Sequence, residues 1–342
     1  MASSDQKPVA VRQVFPESAW ELRPASTIDD VFNQVQAAEV AAGVVPFENS
    51  TNGSVVFTLD NLADRARRYR DITVLGEIFV DVHHCLVGRR HPHGAFASSS
   101  SSFSPGPDAD NSSGTRTPTA SDPTPRRPRS EPLAGLKHIT RLYSHPQAFG
   151  QCNAFISTYL KGVEIIDASS TSRAAEIVSQ DPTGTWAAIA SELAADLVDG
   201  LDMLARNIED RDDNTTRFLI IGARPRGGGA EPSATPTPAD SRWELIKRPG
   251  QPASYKSMIS VTVPHSAPGA LAEVLSCFND FDLNLTSINS RPSLLRPFQY
   301  VFLIEFEGHT DHDPDGKVRG ALDKIDRVAL SWRLLGSWER YR

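Results

Sequence analysis

Three times between residues 136 and 191, an apolar run of strand length ends in a hydroxyl-bearing turn that opens a helix. Residues 136–143 lead into Ser144-His145-Pro146-Gln147, residues 163–167 into Ser169-Ser170-Thr171-Ser172, and residues 186–190 into Ser191. Each turn alone is ordinary capping, in which a side-chain oxygen satisfies an orphan backbone N–H and proline sits in the first turn. Repetition of the unit constrains the chain much further. It predicts an α/β fold whose cleft lies where strand ends meet helix starts. Ser144, His145 and Gln147 then stand where free N–H groups and the helix dipole receive an anion.

The same pattern occurs earlier. A short strand over residues 42–45 runs into Pro46-Phe47-Glu48-Asn49-Ser50-Thr51-Asn52-Gly53-Ser54, followed by a helix through Leu59, Leu62 and Ala66. Glu48, Asn49, Ser50, Thr51 and Ser54 are candidate site residues, and the plainer alternative is a loop that satisfies its own backbone. Residues 215–222 read as a strand. Asn214, Thr215, Thr216 and Arg217 at its start set amide and hydroxyl donors beside a fixed positive charge, a combination suited to a small carboxylate. The competing reading is a capping Asn and a surface Arg.

Elsewhere, Thr27 with Asp29 and Asp30 starts a helix whose core face carries Val31, Phe32, Val35 and Ala38. Residues 72–87 are rich in strand formers. Their His83-His84-Cys85 does not predict a metal site, because neighbours on a strand point to opposite faces. Residues 91–132, nearly free of aliphatic side chains, are expected to form a disordered surface insertion. Its Arg126-Arg127-Pro128-Arg129 patch reads as solvated spacer, with a phosphorylation context or weak targeting signal as alternatives. A Pro/Gly-rich linker follows near residues 224–253. Beyond it, strands at 258–263, 283–290, 300–306 and 328–338 and helices from 268 and over 314–325 give βαββαβ, a ferredoxin-like order.

At 342 residues the chain has room for about two domains. Its net charge of −7 disfavours nucleic acid and anionic membrane as partners. There is no apolar run of the roughly 18 residues a bilayer span needs, no apolar signal core near Met1, and no paired spacing among Cys85, Cys152 and Cys277. A soluble, reduced, cytoplasmic protein is expected.

Segments 43–55 (GVVPFENSTNGSV), 144–152 (SHPQAFGQC), 187–191 (AAIAS) and 214–218 (NTTRF) together resemble prephenate dehydratases of the monofunctional fungal kind with a C-terminal ACT regulatory domain. Gly269-Ala270-Leu271 and Ser290-Arg291-Pro292 match the ACT part. The resemblance implies a two-lobed catalytic region similar to type II periplasmic binding proteins over residues 1–223, with the active site between the lobes, a linker over 224–256 and an ACT domain over 257–342. It implies loss of carbon dioxide and the ring hydroxyl from prephenate to give phenylpyruvate, with no metal, nucleotide or redox cofactor. Thr216 would assist hydroxyl departure by oriented donation, being too weak an acid for full proton transfer. Glu48 is the rival acid, and orientation is its favoured role. Asn49, Ser50, Thr51, Ser144, Gln147, Ser170, Thr171 and Arg217 would contact substrate, the other reading of Arg217 being a residue behind those contacts or one that joins the two lobes.

L-Phenylalanine would bind near Gly269, Ala270, Leu271, Asn289, Ser290, Arg291 and Pro292 in a homodimer or homotetramer and inhibit by feedback. Asn289 stands where the family usually has Glu. The family's first strand and Gly-Pro-x-Gly-Thr-Tyr-Ser-like loop have no counterpart before residues 9–16, so impaired activity is expected. Arogenate dehydratase and a catalytically weak phenylalanine-binding regulator are the alternatives. A solute-binding protein is disfavoured by the lack of an export signal.

Overall fold

A computed structural model describes residues 6–89, 128–224 and 254–341. Most of the expected insertion and of the linker (residues 91–127 and 225–253) therefore lies outside the described residues. The chain forms two compact units, one built on Val9–Val80 and Thr216–Arg342, the other on Asp81–Thr215.

In the first unit, α1 (Gln6–Val14) precedes α2 (Ile28–Gln36). The expected start of α2 is a full capping box, since Thr27 Oγ1 accepts from Asp30 N and the Asp30 carboxylate accepts from Thr27 N. β1 (Gly43–Asn49) turns back through β2 (Gly53–Ser54) before α3 (Val56–Ala63). α3 stops short of the expected Ala66 because Asp64 adopts the left-handed conformation, φ 44°, and its carboxylate accepts from the Arg68 and Tyr69 amides. β3 (Ile72–Asp81) and β9 (Thr215–Ala223) complete a sheet ordered β2-β1-β9-β3.

The second unit carries β4 (Cys85–Arg89), β5 (Arg141–Ser144), α4 (Pro146–Gly150), α5 (Asn153–Tyr159), β6 (Glu164–Asp167), α6 (Thr171–Ser179), β7 (Trp186–Ala190), α7 (Glu192–Leu197) and β8 (Leu201–Ala205). Its sheet runs β6-β5-β7-β4-β8. β5 is parallel to β6 and β7, whereas β4 is antiparallel to both β7 and β8. One face of this sheet packs on Phe149 and Phe155, the other on Ala174, Ala175 and Val178. Burial on both faces explains why β7 reads as an unbroken apolar run. The stretch 72–87, rich in strand formers, folds as two strands, β3 and β4, interrupted at residues 82–84. There, the buried Glu209 carboxylate accepts from His84 N at 2.8 Å and lies 3.2 Å from His83 Nδ1, while His84 Nε2 turns to Gln151. Burial drives the His84 imidazole below its ordinary pKa. Arg129 is not spacer: it donates to Glu209 at 3.1 Å.

The remainder of the first unit has the expected βαββαβ order: β10 (Tyr255–Thr262), α8 (Ala270–Asn279), β11 (Leu285–Pro292), β12 (Tyr300–Glu307), α9 (Lys317–Val328) and β13 (Ser331–Glu339), with an antiparallel sheet ordered β11-β12-β10-β13. Ile259, Val261, Ile304 and Phe306 face α8 and α9. Met258, Leu303, Leu335 and Trp338 point the other way, into the core that holds Phe32, Phe47, Leu59, Val74 and Leu219. Gly336 permits that approach, since a Cβ there would lie 2.1 Å from the Val74 carbonyl oxygen.

Candidate active site

The decisive local feature is a register shift in β1. Pro46 pairs with Phe218, yet Glu48 pairs with Arg217 and Asn49 with Thr216, leaving Phe47 as an extra residue. A bulge of this kind re-aims the side chains beyond it. It sets Glu48 and Asn49 directly against Arg217 and Thr216. Asn49 Oδ1 accepts from the Thr51 and Asn52 amides, which fixes the amide orientation and turns Nδ2 to Thr216 Oγ1 at 3.0 Å. Thr216 is 1% exposed. Its oxygen accepts from Asn49, so its O–H is directed away from that amide. Ser50 and Thr51 lie on the exposed turn after β1.

Arg217 is buried and binds three carboxylates: Nη1 to Glu48 at 3.0 Å, and Nη2 to both Glu77 and Glu305 at 2.6 Å. Lys256 Nζ bridges Glu77 at 3.4 Å and Glu305 at 3.2 Å, and the Thr286 hydroxyl donates to Glu305. The guanidinium lies over the rings of Phe47 and Phe79. Burial works against the charged Arg217, but Glu305 and Glu77 outweigh it and raise its pKa. Burial also opposes ionisation of Glu305, and the charges of Arg217 and Lys256 reverse the balance and hold its carboxyl below the ordinary range.

A depressed carboxylate adds stability that is complete above its unfolded pKa and is lost as pH falls through the folded value. The stability gap between the wild type and Glu305→Gln, measured by urea unfolding, is therefore expected to be constant near neutrality. It should shrink as pH falls below about 4.5, the ordinary value for this group. A gap that widens in acid refutes the assignment.

In the second unit, Ser144 ends β5 and Ser170-Thr171 opens α6 after the parallel strand β6, as the strand–turn–helix pattern expects. The caps differ from expectation. Ser170 accepts from Arg173 N, but at α4 the cap is His145, which accepts from Gln147 N, and Ser144 Oγ donates inward to the Ile189 carbonyl. Ser191 precedes α7 without a side-chain cap bond. Thr171 is buried and Gln147 half-buried.

Gly269 caps α8 in the left-handed conformation, φ 84°, ahead of Ala270 and Leu271. Asn289, Ser290, Arg291 and Pro292 close β11. Asn289 accepts from Ser54 Oγ at 2.7 Å, Arg291 grips Asp60 with two nitrogens at 2.6 and 3.1 Å, and Arg65 donates to the Pro292 carbonyl. A cavity of about 360 Å³ in this unit, lined in part by Asp64, Arg67, Arg70 and Arg333, contains none of the expected substrate residues.

Glu77, Lys256 and Glu305 escaped the sequence reading. Their signal was a charge set inside an otherwise apolar strand, which is tolerated only with a buried partner.

A family model described as Prephenate dehydratase matches residues 7–97 and 129–226. The bifunctional chorismate mutase/prephenate dehydratase of Pseudomonas aeruginosa is 32% identical over 320 residues, 93% of this chain, and the chain spans 66% of that relative's length. The prephenate dehydratase of Methanocaldococcus jannaschii is 29% identical over 93% of this chain and 88% of its own. The structure of prephenate dehydratase in complex with L-Phe from Arthrobacter aurescens superposes with a TM-score of 0.68 at 26% identity, covering 98% of this chain and 86% of that one. No helix among the described residues is long and apolar enough to cross a membrane. With more than half of its residues matched by the family model, the chain belongs to the prephenate dehydratase family.

Proposed function

We propose that the chain is a prephenate dehydratase, a carbon–oxygen lyase of phenylalanine biosynthesis that converts prephenate to phenylpyruvate. The observation that carries this reading, in a chain of this family, is the paired arrangement Asn49–Thr216 and Glu48–Arg217 across β1 and β9. In the reaction, the electron pair of the bond to the departing carboxylate moves into the ring, carbon dioxide leaves, and the ring hydroxyl departs with a proton as water. Aromatisation drives the step, so the protein has to hold a dianion and stabilise the leaving oxygen. Thr216 donates to that oxygen, Glu48 orients, and Asn49, Ser50, Thr51, Ser144, Gln147, Ser170 and Thr171 supply carboxylate and hydroxyl contacts. Arg217, being buried among carboxylates, braces the site from behind.

Residues 1–223 serve as the catalytic domain and 257–342 as an ACT domain. L-Phenylalanine binds near Gly269-Ala270-Leu271 and Asn289-Ser290-Arg291-Pro292 and lowers turnover in a cytoplasmic homodimer or homotetramer. The βαββαβ order and the L-Phe named with the Arthrobacter aurescens structure support this part.

The test is phenylpyruvate formation by the purified chain from prephenate and, separately, from arogenate, each with and without phenylalanine. Turnover of prephenate that phenylalanine suppresses is the expected result. Preference for arogenate selects arogenate dehydratase. Phenylalanine binding without turnover of either substrate selects a regulatory protein.

A further inference from the structure

We propose that Glu305, on strand β12 of the C-terminal sheet, is a positioning residue for the dehydration, acting through Arg217 on Glu48, Asn49 and Thr216. This rests on the functional reading above.

Both oxygens of the buried Glu305 carboxylate are taken up by Arg217, Lys256 and Thr286, so it works through its neighbours. Its Oε2 and the Glu77 Oε2 both lie 2.6 Å from the same Arg217 nitrogen, Nη2. A guanidinium is a rigid planar fork, so fixing Nη2 fixes the direction of Nη1. Nη1 is the nitrogen that donates to Glu48. Arg217 Nε has no acceptor among the described residues, so apart from the Glu48 contact itself the fork is aimed by the two carboxylates on Nη2. Glu48 is joined by the chain to Asn49, whose amide sets the Thr216 hydroxyl. The path from Glu305 to Thr216 is thus a series of short, named contacts.

Stability alone does not account for the cluster. Desolvating four charged groups costs heavily, and well-packed apolar residues of similar volume often serve a fold as well or better. Glu48 is the member that reaches solvent, its side chain 35% exposed against 0–8% for Glu77, Lys256, Arg217 and Glu305. The buried four therefore present one carboxylate outward in a set orientation, beside the threonine assigned to the reaction. On this view the C-terminal sheet holds up the catalytic strand pair even with no effector bound.

The experiment compares the full-length wild type with Glu305→Gln, each alone and combined with Glu48→Gln, reading kcat and KM on prephenate. It also reads the Asn49 side-chain amide signals in protein labelled with ¹⁵N-asparagine. Misplacement of a catalytic group by a distant substitution costs up to about 100-fold, so kcat of Glu305→Gln is expected to fall about 10- to 100-fold with KM changed far less. The Asn49 signals should move, and the losses from Glu305→Gln and Glu48→Gln should be non-additive, since both break the same arrangement.

Should Glu305→Gln not fold, the double variant Lys256→Met/Glu305→Gln, which leaves the cluster's net charge unchanged, is read in the same way. Unchanged kcat, additive losses, or Asn49 signals that stay in place overturn the proposal. A wild-type chain that does not turn over prephenate overturns the functional reading alone. The Asn49 signals then decide the positioning: displaced they support it, unmoved they overturn it.

Discussion

Replacing Thr216 by valine is expected to lower kcat for prephenate by about 10²- to 10⁴-fold, the usual worth of assistance to a leaving oxygen by a placed hydrogen-bond donor. Valine keeps the β-branch and nearly the volume of threonine in β9, so the strand and its pairing with β1 survive. What disappears is the hydroxyl to which Asn49 donates at 3.0 Å. The Asn49 amide then loses a partner, at a cost of about 1–3 kcal/mol in stability, small enough to leave the chain folded. Thr216→Ser should recover most of the activity, because it restores the oxygen at the same Cβ. The measurement is phenylpyruvate formation under saturating prephenate beside a thermal unfolding curve for each variant. Full turnover by Thr216→Val would move the donor role to Glu48, the one carboxylate of the cluster with substantial exposure.

The largest effect on stability is expected at Arg217. Arg217→Met removes the charge that binds Glu77 and Glu305 at 2.6 Å and leaves Lys256, at 3.2–3.4 Å, as their remaining cationic partner. Breaking a buried ion pair from one side strands the other, and the loss is about 3–5 kcal/mol. Glu48→Gln should cost far less, because water reaches that carboxylate. The comparison is by urea unfolding of full-length variants at neutral pH. Adding Glu77→Gln to Arg217→Met should restore part of the loss by removing one uncompensated charge. A loss below about 1 kcal/mol for Arg217→Met, within the range of an exposed ion pair, would mean that water reaches the cluster.

Much of the candidate site was legible because it is local chemistry. Glu48, Asn49, Thr216 and Arg217 stood out as polar groups where an apolar strand ends or begins, a place that has no ordinary use for them. Helix starts at Thr27 and Ser170 were readable for the same reason, since a cap is a contact within three residues. The βαββαβ order followed from alternating periods of two and 3.6.

What the sequence could not contain is the relation between distant strands. Glu48 and Arg217 are 169 positions apart, and whether they meet depends on one extra residue at Phe47. Without that bulge the register slips by one and the side chains exchange neighbours. No local pattern announces it. The same holds for Glu77, Lys256 and Glu305: each strand shows that its charge needs a buried partner, but only packing of the C-terminal sheet into the first unit's core names Arg217 as that partner. Composition and spacing decided which groups were available to the chemistry. The tertiary structure decided which of them touch, because register and sheet packing are set by contacts summed over the whole unit.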